Sequence, residues 1–197
     1  MSLYPEQPLF YLFQGIGYFN LNDYENTVKI LEKGRKLSAN KELTANFDTY
    51  IGDTYHQLDN KQKAYEAYDR VLKSDSNNIY VLNNYAYYLS LDNQDLERAL
   101  QMSAKTIKAE PKNATYLDTY AWILYKLERY PEAKKYMDKV FKYDKNPQGV
   151  NYEHFGDILY KLGDTKNAMK NWKKAKKAGG EVSEFLDNKI KDEKLYE

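Results

Sequence analysis

The side chains best suited to chemistry lie in one short segment, where Glu153, His154 and Asp157 follow each other closely. A helix would place His154 and Asp157 on one face at a spacing that can hold a metal ion. The second histidine, His56, is distant along the chain, and the sequence contains no cysteine. Because no further ligand can be identified, the sequence favours a partly exposed polar helix residue at His154. We therefore predict no metal, no cofactor and no catalytic site.

A second candidate for function is the aromatic segment 116–140, YLDTYAWILYKLERYPEAKKYMDKV. Its tyrosines and its tryptophan could line a binding surface, since rigid aromatic side chains are common anchors in interfaces. They could equally form a hydrophobic core. The choice depends on which helix face each ring occupies, and that depends on the fold.

The composition limits the classes of partner. Lys and Arg together number 30 against 29 Asp and Glu, so the chain has no excess charge to attract nucleic acid or an anionic membrane. The basic run KNWKKAKK, residues 170–177, is best interpreted as a solvated helix face. No apolar run is long enough to cross a membrane and no signal peptide is visible. The absence of cysteine fits both the cytoplasm and the periplasm, so the compartment stays open.

A repeat runs through nearly the whole sequence. A small residue followed three positions later by an aromatic residue or leucine recurs at Gly15, Gly52, Ala86, Ala121 and Gly156, with spacings of 37, 34, 35 and 35 residues. A second small residue follows each of these at Thr27, Ala64, Ala99, Ala133 and Ala168. Turn-forming residues such as Asn22-Asp23 and Gly163-Asp164 lie between the two small positions. The pattern predicts five helical hairpins, in which the small residues let the two helices approach closely.

The spacing and the landmark residues resemble the tetratricopeptide repeat family, as a bacterial-type array. Repeat 4 fits best, with Leu117, Tyr120-Ala121 and Leu124 in its first helix and Ala133, Met137 and Val140 in its second. The resemblance implies an all-α fold, a right-handed α-α superhelix of five repeats that forms a single array over residues 1–197. The expected repeats are 8–41, 45–78, 79–113, 114–147 and 149–182. The tail, with Phe185 and Ile190 on one helical face, predicts a capping helix at about 183–194.

The resemblance also implies where a ligand would bind. In this family the first helices of the repeats, the A helices, line a concave groove that binds a peptide or protein segment. The candidate groove residues are Asn46, Asp53, Tyr80, Asn83, Tyr87, Asp118, Trp122, Tyr125, Glu153, Asp157 and Tyr160. The alternative is that these side chains only pack on the neighbouring A helices. By contrast, Tyr120 and Tyr136 fall at packing positions and are predicted to belong to the core.

The residue types in this predicted groove restrict the partner. The family's best-known pocket is a carboxylate clamp for the acidic tails of heat-shock chaperones, and it needs a lysine at the fifth position of a repeat. That position holds Leu12, Thr49, Asn83, Asp118 or Glu153 here, so the chaperone-tail clamp is absent. An acidic groove with asparagine amides predicts a neutral or basic protein or peptide as the partner.

Two other interpretations remain open. The repeats could serve as an assembly or oligomerisation module of a longer protein, with no independent ligand. A pentatricopeptide-like RNA binder has a similar period, but such proteins are usually basic, so near-neutral charge counts against nucleic acid.

The first helix predicts a self-association surface. Leu9, Leu12, Ile16 and Phe19 fall on its groove side, away from the hairpin side at Gly15. A helix that is apolar all round is normally buried. We therefore expect a preceding repeat or a second copy of the chain to cover this face, and the short segment before Pro8 to cover little of it.

Overall fold

The structure is a computed structural model that describes residues 7–196. Within that range the chain folds into eleven α-helices and has no β-strand, which confirms the predicted all-α class. The helices are α1 (Pro8–Asn20), α2 (Tyr24–Leu37), α3 (Lys41–Gln57), α4 (Lys61–Ser74), α5 (Ile79–Leu91), α6 (Leu96–Ala109), α7 (Ala114–Lys126), α8 (Tyr130–Tyr143), α9 (Gly149–Lys161), α10 (Thr165–Ala178) and α11 (Leu186–Asp192).

The helices form two compact units, and the boundary between the units falls within α5, after Val81. In unit 1 the pairs α1–α2 and α3–α4 are helical hairpins, and α2 packs on α3. In unit 2 the pairs α7–α8 and α9–α10 are helical hairpins, α8 packs on α9, and α11 packs on α10. The predicted capping helix is thus present, although it is shorter than the sequence pattern indicates.

In three of the hairpins, close contact between the two helices depends on a glycine in the first helix, at Gly15, Gly52 or Gly156. A Cβ atom added to Gly52 would lie 2.5 Å from the Tyr68 ring, and one added to Gly156 would lie 2.4 Å from the Trp172 ring. Both rings are almost fully buried, at 0% and 1% exposure. The large residue of the second helix therefore fills the space above the glycine, as the repeat pattern predicts.

The turns inside the hairpins share one backbone conformation. Each has a residue with positive φ just after its first helix, and these residues are Asn22, Asp59, Asn93, Glu128 and Gly163. The side chains of Asp23, Asn60 and Asp164 then cap the following helix by accepting a hydrogen bond from a backbone N–H. The third turn has one residue more than the others, as the sequence predicts, and its extra length ends in Asp95 with a φ of 39°.

The core of unit 2 settles the role of part of the aromatic segment. Leu117, Ala121, Met137 and Val140 are buried together between α7 and α8. Tyr120 and Tyr136 pack against this cluster with their ring centroids 4.6 Å apart, so their predicted place in the core is confirmed.

The first helix is buried differently from the sequence expectation. Leu12 is only 6% exposed, because it packs with Leu31, Phe47 and Ile51 in the core of unit 1. Ile16 and Phe19 are half-buried, since α3 as well as α2 lies against α1. Of the four residues expected on the exposed face, Leu9 is exposed, at 45%. The other exposed apolar side chains of α1 are Phe10 and Phe13, at 55% and 60% exposure. Self-association through this helix stays a prediction, and residues 1–6, which precede it, lie outside the described residues.

The contact at Gly52 leads to a first prediction. Gly52→Ala should destabilise unit 1 by about 1–3 kcal/mol, because the new methyl group overlaps a buried ring. Gly17→Ala is the matched control, since it lies in a helix with open space around the added Cβ. It should stabilise the protein by about 0.5–1 kcal/mol, the usual preference of a helix for alanine. Urea unfolding followed by circular dichroism measures both. Equal effects of the two substitutions would contradict the assigned contact.

Candidate functional site

Two adjoining cavities lie on the A helices of unit 2. The first, here called the aromatic cavity, has a volume of about 350 Å³, and its walls include Tyr87 of α5, Trp122 of α7 and the side chains of Phe185 and Tyr196. The second, here called the carboxylate cavity, has a volume of about 270 Å³. Its lining includes Asn83, Asp118, Asp144, Asn151 and Glu181. Tyr87, Val150 and Glu181 line both cavities, so the two are continuous along the α5, α7 and α9 face.

A stacked aromatic group at Trp122 forms the centre of this face. The Trp122 ring stacks on Tyr125, with centroids 4.7 Å apart, and on His154, with centroids 4.0 Å apart. Nδ1 of His154 lies 3.0 Å from Oδ2 of Asp118. His154 is 5% exposed, so the expectation of a partly exposed residue is wrong. The reason is that α9 packs beside α7, which places His154 against Asp118 and Trp122.

Three buried polar atoms on this face have no hydrogen-bond partner within residues 7–196. They are Oδ1 of Asn83, Oδ1 of Asp118 and Nε1 of Trp122. Each belongs to a side chain that is less than a tenth exposed. A buried polar atom without a partner costs about 1–3 kcal/mol, so proteins rarely keep one without a use for it. Asn83 and Asp118 line the carboxylate cavity, and Trp122 lines the aromatic cavity.

Tyr87 lies where the two cavities meet, close to several carboxylates. Burial, followed by the charges of Asp118, Glu181 and Glu153, raises the pKa of Tyr87 well above its ordinary value. The phenol therefore stays protonated and remains a hydrogen-bond donor at every physiological pH.

One end of the aromatic cavity is held by a buried ion pair from the C-terminal segment. The Lys189 ammonium donates to Oε1 of Glu153 at 2.8 Å and to both Asp157 carboxylate oxygens at 3.0 and 2.8 Å. The Ser183 backbone N–H and hydroxyl also donate to Glu153. The Trp172 indole donates to Asp157 at 2.8 Å. These two carboxylates are thus fully engaged within the chain.

The two carboxyl groups respond oppositely to this arrangement. Burial raises the pKa of Asp157 to about 6, and the attraction of Lys189 offsets only part of that effect. Burial alone would also raise the pKa of Glu153, but hydrogen bonds from Lys189 and Ser183 lower it below its usual range. Because folded Asp157 binds its proton more tightly than an unfolded chain does, this group favours the folded state increasingly as the pH falls below about 6.

The structure divides the predicted groove residues between the units. In unit 1, Asn46 is exposed, while Asp53 accepts hydrogen bonds from the hydroxyls of Tyr68 at 2.5 Å and Tyr80 at 3.0 Å. In unit 2, the residues at the two cavities are Asn83, Tyr87, Asp118, Trp122, Glu153 and Asp157. Tyr125 is buried behind Trp122, and Tyr160 packs on Trp172 with centroids 5.6 Å apart.

Sequence reasoning missed His154, Glu181 and Lys189 as parts of this site. A signal for Lys189 exists, because it follows Leu186 by three positions and so belongs to the apolar face of the predicted cap. No comparable signal marks His154, because Glu153, and not His154, occupies the position equivalent to Asp118 in the A-helix register.

Two properties of residues 7–196 bear on the kind of site. No group of three or more His, Asp or Glu side chains there is placed to hold a metal ion. None of the helices in the same range has the length and hydropathy needed to cross a membrane.

Comparison with known proteins agrees with the repeat architecture. The tetratricopeptide repeat family matches the chain at residues 51–78 and 114–147. The type IV pilus assembly protein PilF of Pseudomonas aeruginosa is 24% identical over 190 residues, which cover 95% of this chain and 73% of PilF.

Solved structures show the same fold. A PilF structure from Pseudomonas aeruginosa has a TM-score of 0.73 and 20% identity, over 94% of this chain and 86% of that one. The crystal structure of PilW, described as a widely conserved type IV pilus biogenesis factor, has a TM-score of 0.80 and 16% identity. It covers 94% of this chain and 85% of PilW. This chain therefore contains tetratricopeptide repeats at residues 51–78 and 114–147, and it shares its fold with the PilF and PilW structures.

The buried ion pair leads to a second prediction. Lys189→Met should destabilise unit 2 by about 3–5 kcal/mol at pH 7.5, because two buried carboxylates lose their cation. The loss should be smaller at pH 5. Without Lys189 the pKa of each carboxyl group rises, so the folded variant takes up protons and gains stability as the pH falls.

Urea unfolding at the two pH values measures this loss. Lys176→Met is the matched control, because Lys176 pairs with Asp187 at 2.7 Å on the exposed surface. The control should change little at either pH. A cost for Lys189→Met that does not depend on pH would contradict the ionic role of Lys189.

Proposed function

We propose that this protein is a non-enzymatic scaffold that binds an extended segment of a partner protein along the α5, α7 and α9 face of unit 2. The observation that carries the proposal is the set of three buried polar atoms, on Asn83, Asp118 and Trp122, that have no partner within the described residues. A peptide supplies the missing groups, since its backbone offers an N–H donor and a C=O acceptor at nearly every residue.

The sizes of the cavities and the residues that line them favour a peptide as the ligand. Volumes of about 350 and 270 Å³ suit single side chains, and their position side by side suits successive side chains of one segment. Tyr87 and Trp122 are rigid and lose little conformational entropy on binding. The Asn83 amide can pair with peptide backbone, which provides affinity independent of the partner's sequence.

The relatives indicate a process for this proposal. PilF is named a type IV pilus assembly protein and PilW a type IV pilus biogenesis factor. By extension, we place this scaffold in the assembly of a type IV pilus, with a pilus component of neutral or basic character as the partner. Deleting the gene in the organism that encodes it should reduce surface pili, and the Asn83→Ala chain should restore them less well than the original chain.

An assembly module is the second candidate, and the exposed apolar side chains of α1 favour it. Leu9, Phe10 and Phe13 lie in one short stretch and are each 45% exposed or more. Such a patch often marks an interface between proteins.

The second candidate gives a third prediction. If copies of the chain associate through α1, sedimentation equilibrium should show a dimer that Phe13→Glu dissociates. Leu37→Glu is the control, because Leu37 is another exposed apolar residue of unit 1, at 43% exposure. A monomer at every concentration, or equal effects of both substitutions, would contradict self-association through α1.

The peptide-binding proposal gives a fourth prediction. Peptides selected from a random display library against the whole chain should slow hydrogen exchange in α5, α7 and α9. Asn83→Ala and Trp122→Phe should each weaken binding of these peptides by about 2 kcal/mol, the effect of removing an interface anchor. Trp122→Phe keeps an aromatic ring but removes the indole N–H group together with the pyrrole part of the ring system.

Gln101→Ala is the control for that experiment. Gln101 carries an exposed amide on α6, which is the second helix of its repeat and so lies outside the proposed binding face. It should leave affinity unchanged. Protection confined to α6, α8 and α10, or equal losses for Gln101→Ala and Asn83→Ala, would place the ligand elsewhere and contradict the proposal.

A further inference from the structure

The two cavities differ in chemistry, and the difference defines the side chains that each accepts. The carboxylate cavity has Asp118, Asp144 and Glu181 in its lining and no basic residue. The remaining polar groups there are mainly amides, from residues such as Asn84, Gln148 and Asn151. This cavity therefore favours a cation.

Asp118 shows that this is more than a group of surface acids. Its side chain is over nine-tenths buried and lines the carboxylate cavity, and only its Oδ2 atom is engaged, by His154. Oδ1 has no partner within residues 7–196. A carboxylate oxygen in this position can accept a charge-assisted hydrogen bond, which is the stronger kind. The raised pKa of Tyr87, caused by burial and then by Asp118, Glu181 and Glu153, is consistent with a site that attracts a cation.

The aromatic cavity has the opposite preference. Its walls include Tyr87, Trp122, Val182 and Phe185, so most of its surface is apolar. The carboxylates at its far end, Glu153 and Asp157, are already paired with Lys189. Lys126 also lies over the Trp122 ring, with its ammonium 5.1 Å from the centroid. A second cation would be repelled there, whereas a large apolar side chain would gain by leaving water.

We propose that this face recognises a basic side chain and a large apolar side chain placed close together in one extended segment, the basic one in the carboxylate cavity and the apolar one in the aromatic cavity. This inference rests on the proposed function, because it names the partner chemistry of the same face. Arginine suits the carboxylate cavity best, since its planar guanidinium can bond a carboxylate and also contact the Tyr87 ring. In an extended chain the side chains of residues i and i+2 point the same way, so arginine and phenylalanine separated by one residue fit two cavities side by side.

The test uses four fluorescent glycine-serine peptides and the whole chain. One carries the Arg-Gly-Phe sequence, and the others replace arginine by serine, arginine by glutamate, or phenylalanine by serine. Fluorescence anisotropy should show that the Arg-Gly-Phe peptide binds at least about tenfold more tightly than any other, the effect of a single anchor. Raising the salt concentration should reduce the advantage of arginine over serine. Equal affinities for all four peptides would overturn the proposal.

A matched pair of charge reversals tests the placement of the basic side chain. Glu181 lines both cavities, and Glu184, three positions later, lines neither; both are exposed. Glu181→Lys should therefore fold normally and reduce the advantage of arginine over serine by at least about tenfold, while Glu184→Lys should keep it. Equal losses for the two variants would overturn the placement of the arginine.

The outcomes also separate this inference from the proposed function. If library-selected peptides protect α5, α7 and α9 but the four designed peptides do not differ, the partner chemistry is wrong and peptide binding on this face stands. If no peptide protects these helices, both proposals are wrong.

Discussion

Close contact between the two helices of each hairpin is the constraint on which the rest of the structure depends. Gly52 and Gly156 leave space that Tyr68 and Trp172 fill completely, and this contact fixes how each first helix is rotated about its own axis. Once the rotation is fixed, the face that meets the second helix cannot also meet a ligand. In unit 2 the neighbouring first helices α7 and α9 then bring Asp118, Trp122 and His154 together.

The same constraint places polar groups in buried positions, and these groups fall into two classes. Glu153 and Asp157 are satisfied by Lys189, Ser183 and Trp172, so they act as structural links between α9, α10 and the C-terminal segment. Asp118, in contrast, has one oxygen engaged and one without a partner in the described part of the chain. A buried carboxylate is tolerated where its charge is paired. A buried carboxylate with an oxygen that accepts no hydrogen bond marks a place where a ligand is expected.

The sequence was sufficient for the features that depend on local pattern. The spacing of Gly52 and Ala64 specifies a hairpin, and turn residues such as Asn60 specify where its second helix begins, because both act within one repeat. The core positions of Tyr120 and Tyr136 follow from the same periodicity. The all-helical class could therefore be predicted in full, and the candidate face could be predicted in outline.

Features that depend on packing between distant residues could not be predicted in this way. The apolar face of the cap signals that Lys189 is buried. Its carboxylate partners lie more than thirty residues away along the chain, so the local pattern does not identify them. Leu12 was expected at an exposed face, but α3 packs on α1 and buries it. His154 is buried for a similar reason, because its environment is supplied by α7. In each case the helix was assigned correctly, while the burial depended on a neighbour that periodicity alone does not identify.

The indole N–H signals in a ¹H–¹⁵N NMR spectrum test the central claim most directly, because the chain has only two tryptophans. The Trp172 indole already donates to Asp157, whereas the Trp122 indole lies on the candidate face and has no partner within the described residues. The account predicts that adding the Arg-Gly-Phe peptide moves the Trp122 signal in a saturable way and leaves the Trp172 signal in place. A saturable shift of Trp172 alone, or no shift of either signal at concentrations where the peptide binds, would contradict it.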